Sequence, residues 1–511
     1  MQHIQGISRY QMRISSLEDA ISPDNQVRFI DAFVSFVDLS KLGFEGKTLK
    51  KEGRPSYYNK LFLKTYLYGY LNGIRSSRKL EKECFRNIEM QWLLEDIRPN
   101  YHSISDFRKD NPLALKNLFK LFVSFLKDAD LIAGKTIAID GTKSRAHNSK
   151  KANFNQKKID KHLAYIEAKS QEYLDALEEN DTKENSSEMK NIQQKIERLQ
   201  QNKIRYELLE EKLKASGEPQ ISTTDSDARA LLVQGQVVEI SFNVQAAVDA
   251  KHNLVVATHT INKNDRSALS AIALEAKENL GVETYTALVD KGYHNGKQIE
   301  ICKLSNIATI VAQPEQGKNK ERIAEDYLIS KFQYDKITDT YSCPQGETLK
   351  TTGHWHKKTA DRDSYEFKRY RTPKCRECPV KKLCTSRVAG RDIDRSQYAD
   401  AVEENNKRYH ANAQLYRKRQ EINEHIFGTI KRQWGYNHTN LTGLKKVNGE
   451  HSLIMLVYNI KRSINILGVP ELIDKLKKWN SPYKTKALFL TKTSYLKLNR
   501  TSDFYPEKFA A

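Results

Sequence analysis

Long apolar runs are missing from this chain. No stretch of its 511 residues approaches the roughly 20 consecutive apolar residues that a membrane-crossing helix needs. The opening residues, Met1-Gln-His-Ile-Gln-Gly6, carry no apolar segment of the kind that heads an export signal. We therefore expect no membrane span, no secretion and a cytoplasmic setting. Scattered cysteines are missing too, since four of the six fall between Cys343 and Cys384. Without an export signal, that clustering argues for a metal rather than disulfides. Acidic residues are outnumbered: 85 Lys and Arg face 64 Asp and Glu, a formal charge of +21. Such an excess is the electrostatic footprint of a polyanion binder, most simply of nucleic acid, with a merely soluble basic protein as the plainer alternative. What is present is sufficient for folded cores, with 39% hydrophobic residues and a length that accommodates three or four domains.

Residues 1–130 read as a helical domain. Phe29-Ile30, Phe33-Val34 and Phe36-Val37 recur at helical spacing after a start signal at Ser22-Pro-Asp-Asn25. A second helix runs from about Tyr58 to Leu71, Gly73 breaks the pattern, and Ser103-Ile-Ser-Asp-Phe-Arg-Lys109 opens another. Short helices carrying Arg75, Arg78 and Arg108 suit a helix-turn-helix-like DNA reader, and equally an ordinary helical bundle.

Residues 131–313 read as a mixed α/β sheet interrupted by a helical insertion at 151–219. Ile159, Leu163, Ile166, Tyr173 and Leu177 form one heptad seam. Ile192, Ile196, Leu199, Tyr206 and Leu213 form a weaker one, with Leu209 beside it. The polar link 178–187 between them predicts an antiparallel helical hairpin. Strand patterns occupy 135–140, 236–248, 253–261, 284–290 and 307–312, with Asp249-Ala-Lys-His252 as a hairpin turn and Asn264-Asp265 as the cap of a helix that carries Leu269, Ile272, Ala276 and Leu280. Pro314-Glu-Gln-Gly-Lys318 marks a boundary. Beyond it we expect a cysteine-bearing insertion over 314–415, a helical part over 416–470 and a tail over 471–511.

Chemistry concentrates at strand ends. Asp140 closes the run Lys135-Thr-Ile-Ala-Ile-Asp140, and Asp290 closes Thr284-Tyr-Thr-Ala-Leu-Val-Asp290. On parallel neighbouring strands such positions lie about 5 Å apart, close enough to hold two divalent cations jointly. The helix from about Arg417 supplies a third acid: Glu424 lies seven residues from both Arg417 and Lys431, on one face. Glu421 and Glu450 compete for that role. A carboxylate flanked by cations can hold a scissile phosphate, although a surface helix with Arg417–Glu421 pairing carries the same pattern. Cys343, Cys375-Arg-Glu-Cys378 and Cys384 offer four thiolates for a closed tetrahedral zinc site, with His354 and His356 as spare donors. The interleaved aromatics and bases of Phe367-Lys-Arg-Tyr-Arg371 suit DNA contact. Ser222-Thr-Thr-Asp-Ser-Asp-Ala-Arg229 reads first as a capped turn, with Asp225, Asp227 and Arg229 as more distant DNA candidates.

Several of these motifs together resemble bacterial insertion-sequence transposases of the DDE class. They are Ile139-Asp-Gly-Thr142, Val289-Asp-Lys-Gly-Tyr-His-Asn295, Asn423-Glu-His-Ile-Phe-Gly-Thr-Ile-Lys431, Tyr66-Leu-Tyr-Gly-Tyr-Leu-Asn-Gly-Ile-Arg75 with its continuation to Glu81, and Val457-Tyr-Asn-Ile-Lys-Arg462. The resemblance covers roughly residues 1–470. It implies a ribonuclease-H-like catalytic domain, with Asp140, Asp290 and Glu424 holding two Mg²⁺ (or Mn²⁺) ions. It also implies cleavage and strand transfer at terminal inverted repeats, double-stranded DNA as partner, a homo-oligomer on DNA and a nucleoid-associated bacterial location. Many relatives carry a Tyr-x2-Arg-x3-Glu-x6-Lys signature. Here Arg417 and Gln420 stand where Tyr and Arg are expected, so Tyr416 and Arg419, one residue earlier, are the candidate substitutes. The alternatives are a catalytically inactive DNA-binding protein and a metal-dependent nuclease without strand transfer. No Arg/His/Arg/Tyr set announces a tyrosine recombinase among the 25 tyrosines.

Overall fold

The computed structural model of the chain describes residues 3, 6–12, 14–44, 56–181, 186–233, 237–314, 323–360 and 363–481. Its N-terminal part is helical: α1 (Gln26–Phe36), α2 (Asn59–Leu71), α3 (Ser77–Arg86), α4 (Ile88–Leu94), α5 (Tyr101–Asp110) and α6 (Pro112–Asp128). Local chemistry sets the starts. Asn25, Asn87 and Asn100 accept backbone N–H bonds in the first turns of α1, α4 and α5, and Pro112 opens α6 where no amide is needed. Gly73, at φ +75°, makes the expected break after α2. The apolar faces meet in an aromatic cluster, with Phe33 edge-on to Phe122 at 5.1 Å.

The main sheet contains β1 (Thr136–Arg145), β2 (Arg229–Val233), β3 (Val237–Asp249), β4 (Leu254–Ile261), β5 (Tyr285–Val289) and β6 (Ile307–Val311). Its order is β2-β3-β1-β5-β6, with β4 also on β3. β1, β5 and β6 are parallel, whereas β3 runs antiparallel to β1, β2 and β4. Four of the five residues of β5 are buried, as suits a central strand covered on both faces. Helices α9 (Leu269–Leu280) and α10 (Gly296–Leu304) follow β4 and β5. Two helices leave the sheet between β1 and β2, α7 (Gln156–Asp181) and α8 (Ser186–Ser216), and they pack together over Ile159, Leu209 and Leu213. The middle of the expected polar link, residues 182–185, lies outside the described residues.

A smaller antiparallel sheet follows, β7 (Gln333–Asp335), β8 (Thr340–Ser342), β9 (Thr348–Ala360), β10 (Asp363–Arg371) and β11 (Ile393–Ser396), with its own core of Phe332, Tyr341, Leu349, Tyr370 and Ile393. Short α11 (Lys381–Cys384) lies between β10 and β11. The chain then returns to the main sheet through α12 (Ala399–Ala411), α13 (Ala413–Gly428), α14 (Leu444–Leu467) and α15 (Val469–Lys478). Two buried asparagines pin the return. Asn405 bonds both backbone groups of Val311 at 2.9 Å, and Asn459 bonds those of Val255 at 2.9 and 2.8 Å. Helix α14 is buried nearly all round, so its apolar residues form no single stripe. One continuous apolar core runs through the N-terminal helices, the main sheet and α14.

Two features differ from the sequence expectation. Arg229–Val233 forms a strand, where the sequence predicts a capped turn over Ser222–Arg229 and no strand between it and residue 236. Strand β1 does not end at Asp140 but continues to Arg145. The apolar run stops at Asp140 because the parallel pairing with β5 stops there, at Ile139 opposite Val289, while the pairing with β3 continues to Arg145 opposite Ser241. Past Ile139 that edge of the strand faces an opening, and it is met again at Arg145 by the segment Asn437–Thr439.

Candidate active site

That opening holds the two aspartates. Asp140 lies one residue past the last β1–β5 pair, and Asp290 one residue past the end of β5. Asp140 Oδ1 accepts the Gly141 amide at 2.8 Å, and Asp290 Oδ2 accepts the Gly292 amide at 3.4 Å. The guanidinium of Arg419, from α13, spans the gap: Nη1 is 3.4 Å from Asp140 Oδ2 and Nη2 is 3.2 Å from Asp290 Oδ1. Burial pushes the Asp140 carboxyl up to about 6; the Gly141 amide and Arg419 pull it down, and Asp290 and Asp265 push it up.

Asp265 is the acid that the sequence reading treated only as a helix cap. Its Oδ1 accepts from Asn243 Nδ2 at 2.7 Å and Gln245 Nε2 at 2.9 Å, and Lys143 Nζ lies 3.3 Å from its Oδ2. A Cβ on Gly141 would sit 2.6 Å from Asp265 Oδ1, so the glycine lets this cluster close against β1. Tyr293, fully buried, donates its hydroxyl to Gln245 Oε1. The available signal was the alternation in β3: Asn243 and Gln245 are polar residues buried on a strand of otherwise apolar neighbours.

Helix α13 presents Arg419, Ile422, Asn423 and Ile426 inward and Arg417, Glu421 and Glu424 outward. The Glu424 carboxylate makes no bond to a described residue, and Glu424 lies about 140° around the helix from Arg419 at 100° per residue. Asn423 is buried with both side-chain polar atoms unpartnered. After Gly428 the helix widens into a π-helical turn, Thr429–Gln433, which disturbs the two-turn spacing expected between Glu424 and Lys431. Lys431 reaches back to β1, donating to Thr142 Oγ1 at 2.9 Å and the Lys143 carbonyl at 2.8 Å. Burial lowers its affinity for a proton.

The other candidate residues separate. Arg75 and Arg108 are 7% and 5% exposed and turn inward, so their guanidinium groups face Glu450 rather than solvent. Arg78 is exposed, over the Tyr101 ring. Glu450 has no exposure at all and bonds Arg75 at 2.8 Å, a setting remote in kind from an open metal site. Asp225 and Asp227 cap the start of α14, accepting from the Gly443 and Leu444 amides, and Arg229 is buried against local carbonyls. Cys343, Cys375, Cys378 and Cys384 are free, partly exposed thiols, and Cys343 and Cys384 pack against the core of the small sheet. Burial raises the Cys384 thiol, Arg391 lowers it, and the other three cysteines raise it further. Among the described residues, no group of three or more His, Cys, Asp or Glu is arranged to hold a metal ion. No helix among them is long and apolar enough to cross a membrane.

A mixed sheet with paired aspartates beside a basic helix defines a class of proteins rather than a member. Comparison with known families narrows it. Residues 342–464 match the family model of a transposase DDE domain, and residues 15–110 match that of a transposase domain, DUF772. Together the two matches support an insertion-sequence transposase of the DDE class. No curated protein and no solved structure matches the chain.

Proposed function

We propose that the protein is a DNA transposase that cleaves the terminal inverted repeats of an insertion sequence and joins the freed ends to target DNA. The carrying observation is the bridged acid pair, Asp140–Arg419–Asp290, at the open end of the β1–β5 pairing. The strand order, with β1 central, β5 and β6 parallel on one side and antiparallel β3 and β4 on the other, supports a ribonuclease-H-like catalytic domain. The guanidinium between the carboxylates is a stand-in cation: the pair is built to share positive charge, and its oxygen donors suit Mg²⁺ or Mn²⁺. When bound, such ions lower the pKa of water and stabilise a leaving oxygen.

The chain's own residues do the rest. Asp140 and Asp290 would hold the cations, Arg419 would be freed from the carboxylates to meet a phosphate, and Lys143 and Lys431 would keep positive charge along the β1 edge. Glu424, exposed on α13, would complete the set after a turn of that helix at the π-helical segment Thr429–Gln433. Double-stranded DNA is the substrate and a homo-oligomer the working form. The four cysteines have the donor chemistry of a structural zinc site. Stoichiometric zinc by elemental analysis, lost in Cys375→Ser, is the expected result there; a zinc-free native protein would sink it. For the central claim, the test is Asp140→Asn with Mg²⁺ and labelled element ends: cleavage should vanish, and undiminished cleavage refutes the assignment.

The exposed position of Glu424 keeps one other reading, an inactive DNA-binding protein. Binding of the ends by the unaltered protein without any strand cleavage would favour it.

A further inference from the structure

Strands β9 and β10 form a ribbon that outruns its sheet. β8 pairs with β9 only over Thr348–Lys350, and β11 pairs with β10 only over Phe367–Tyr370. From Lys357 opposite Glu366 to Ala360 opposite Asp363, the two strands pair with each other alone. Gly353, at φ +82°, sits in the register irregularity between Thr351 and Trp355 where the ribbon leaves the sheet.

Its side chains are unusual for a free ribbon. Residues 348–371 carry seven Lys and Arg against three Asp and Glu. Lys368 and Arg369 have acid partners in the sheet, Asp339 and Asp394. Lys350, Lys357, Lys358 and Arg371 are exposed and have no acid partner among the described residues. Lys350 stands directly opposite Arg371, an arrangement of like charges that weakens a sheet. Trp355 is 51% exposed with Lys368 over its ring, and Lys358 lies over Tyr365 on the opposite face. Lysines alone would serve to keep a ribbon edge from pairing with other chains. Opposed cations and an exposed tryptophan are not needed for that.

We infer that this ribbon is a second DNA-contacting element, which lies along duplex DNA with its unpaired cations on the phosphates. A two-stranded ribbon fits the width of a major groove, and the free cations match a polyanion. The inference rests on the reading of the chain as a DNA-acting enzyme and adds a surface away from the acid pair.

The test uses the full chain and a fluorescein-labelled duplex of mixed sequence, with affinity read by anisotropy across a salt series. Lys357→Ala/Lys358→Ala should weaken binding roughly tenfold at moderate salt and flatten the log–log salt slope by about 1.8, from about 0.9 per lost phosphate contact. Trp355→Ala should weaken binding without changing the slope. Circular dichroism and thermal melts, unchanged in both, exclude misfolding. Unaltered affinity and slope in the double variant would overturn the inference and leave the ribbon as edge protection, while Mg²⁺-dependent cleavage by the native chain would still support the transposase reading. A native chain that binds no duplex overturns both.

Discussion

Glu450→Gln isolates what joins the N-terminal helices to the rest of the molecule. Glu450 lies on α14 with no exposure and accepts from Arg75 at 2.8 Å, from the Asn440 amide at 3.0 Å and from the Leu441 amide at 3.1 Å. Arg108 stands 3.7 Å away, and donates to the Tyr70 hydroxyl at 2.7 Å. Burial alone would raise the Glu450 carboxyl, but Arg108 and Arg75 outweigh it and hold it below its ordinary range. The amide variant keeps Oε2 for the two backbone donors, but it removes the charge and turns the Oε1 acceptor that faces Arg75 into an N–H donor. It leaves two guanidinium groups buried without a counter-ion, and Arg75 Nε and Nη1 and Arg108 Nε already lack partners.

Breaking a buried pair from one side costs about 3–5 kcal/mol, a large share of a domain's roughly 5–15 kcal/mol. The lower end applies here, because two of the acceptor contacts survive. The assay is urea unfolding followed by tryptophan fluorescence, with Trp434 packed beside Tyr436, whose ring carries the Arg75 guanidinium at 4.8 Å. A chain of this size need not unfold in one step, so the transition that Trp434 reports is the one to compare. Arg75→Met in the Glu450→Gln background should return part of the loss by removing one orphaned charge. A single variant within about 1 kcal/mol of the native chain, or a double variant whose losses simply add, would refute the argument.

Other outcomes follow from the same geometry. Arg419→Ala should bind Mn²⁺ about tenfold more tightly without DNA, as one charge-assisted competitor of about 1.5 kcal/mol is removed, and should cleave less; unchanged Mn²⁺ titration by electron paramagnetic resonance would show that Arg419 does not compete. Glu424→Gln should abolish cleavage as Asp140→Asn does, with Mn²⁺ binding weakened; if Asp265→Asn does so and Glu424→Gln does not, Asp265 is the third acid. Gly449→Ala should destabilise by about 1–3 kcal/mol in thermal melts, because the new Cβ would meet Pro112 Cα at 2.5 Å and its carbonyl oxygen at 2.8 Å, both backbone. Burial lowers the His451 imidazole to about 4 from 6.5. The unfolded chain therefore binds the extra proton between those values, and stability should fall as pH drops from about 6.5 toward 4, by up to about 1.4 kcal/mol per unit, with a shallower slope in His451→Gln.

What the sequence disclosed followed from periodicity and from the two strand-end acids. Asn25, Gly73 and the runs ending at Asp140 and Asp290 are local signals, and each is where local chemistry put it. The roles of Arg75, Arg108 and Glu450 were illegible because their partners are up to 375 residues away, so exposed and buried arginines look alike in the chain. Asp265 was hidden by an equally good local explanation: an Asn-Asp pair before a helix reads as a cap, whereas the side chain is spent on Asn243 and Gln245. The outward turn of Glu424 was hidden by its seven-residue spacing to Lys431, which holds for a regular helix and not across a π-helical turn.

The segment between α13 and α14 connects these observations. Asn437 and Thr439 bond both backbone groups of Arg145 at the far end of β1, at 3.0 and 2.8 Å. The Tyr436 hydroxyl donates to the Tyr70 carbonyl at 2.7 Å, and Arg75 donates to the His438 carbonyl at 2.7 Å. The strand that carries Asp140 is thus tied through a few residues to α2 and to the turn before α3. Lys431, inside the widened turn Thr429–Gln433, is bonded to the same strand two and three residues past Asp140. The widened turn at Thr429–Gln433 lies between the Tyr436–Thr439 contacts and Arg419 on α13. Arg419, which bridges the acid pair, and the contacts that tie β1 to α2 are therefore joined through one stretch of chain, residues 419–439, whose departure from α-helical geometry is that turn.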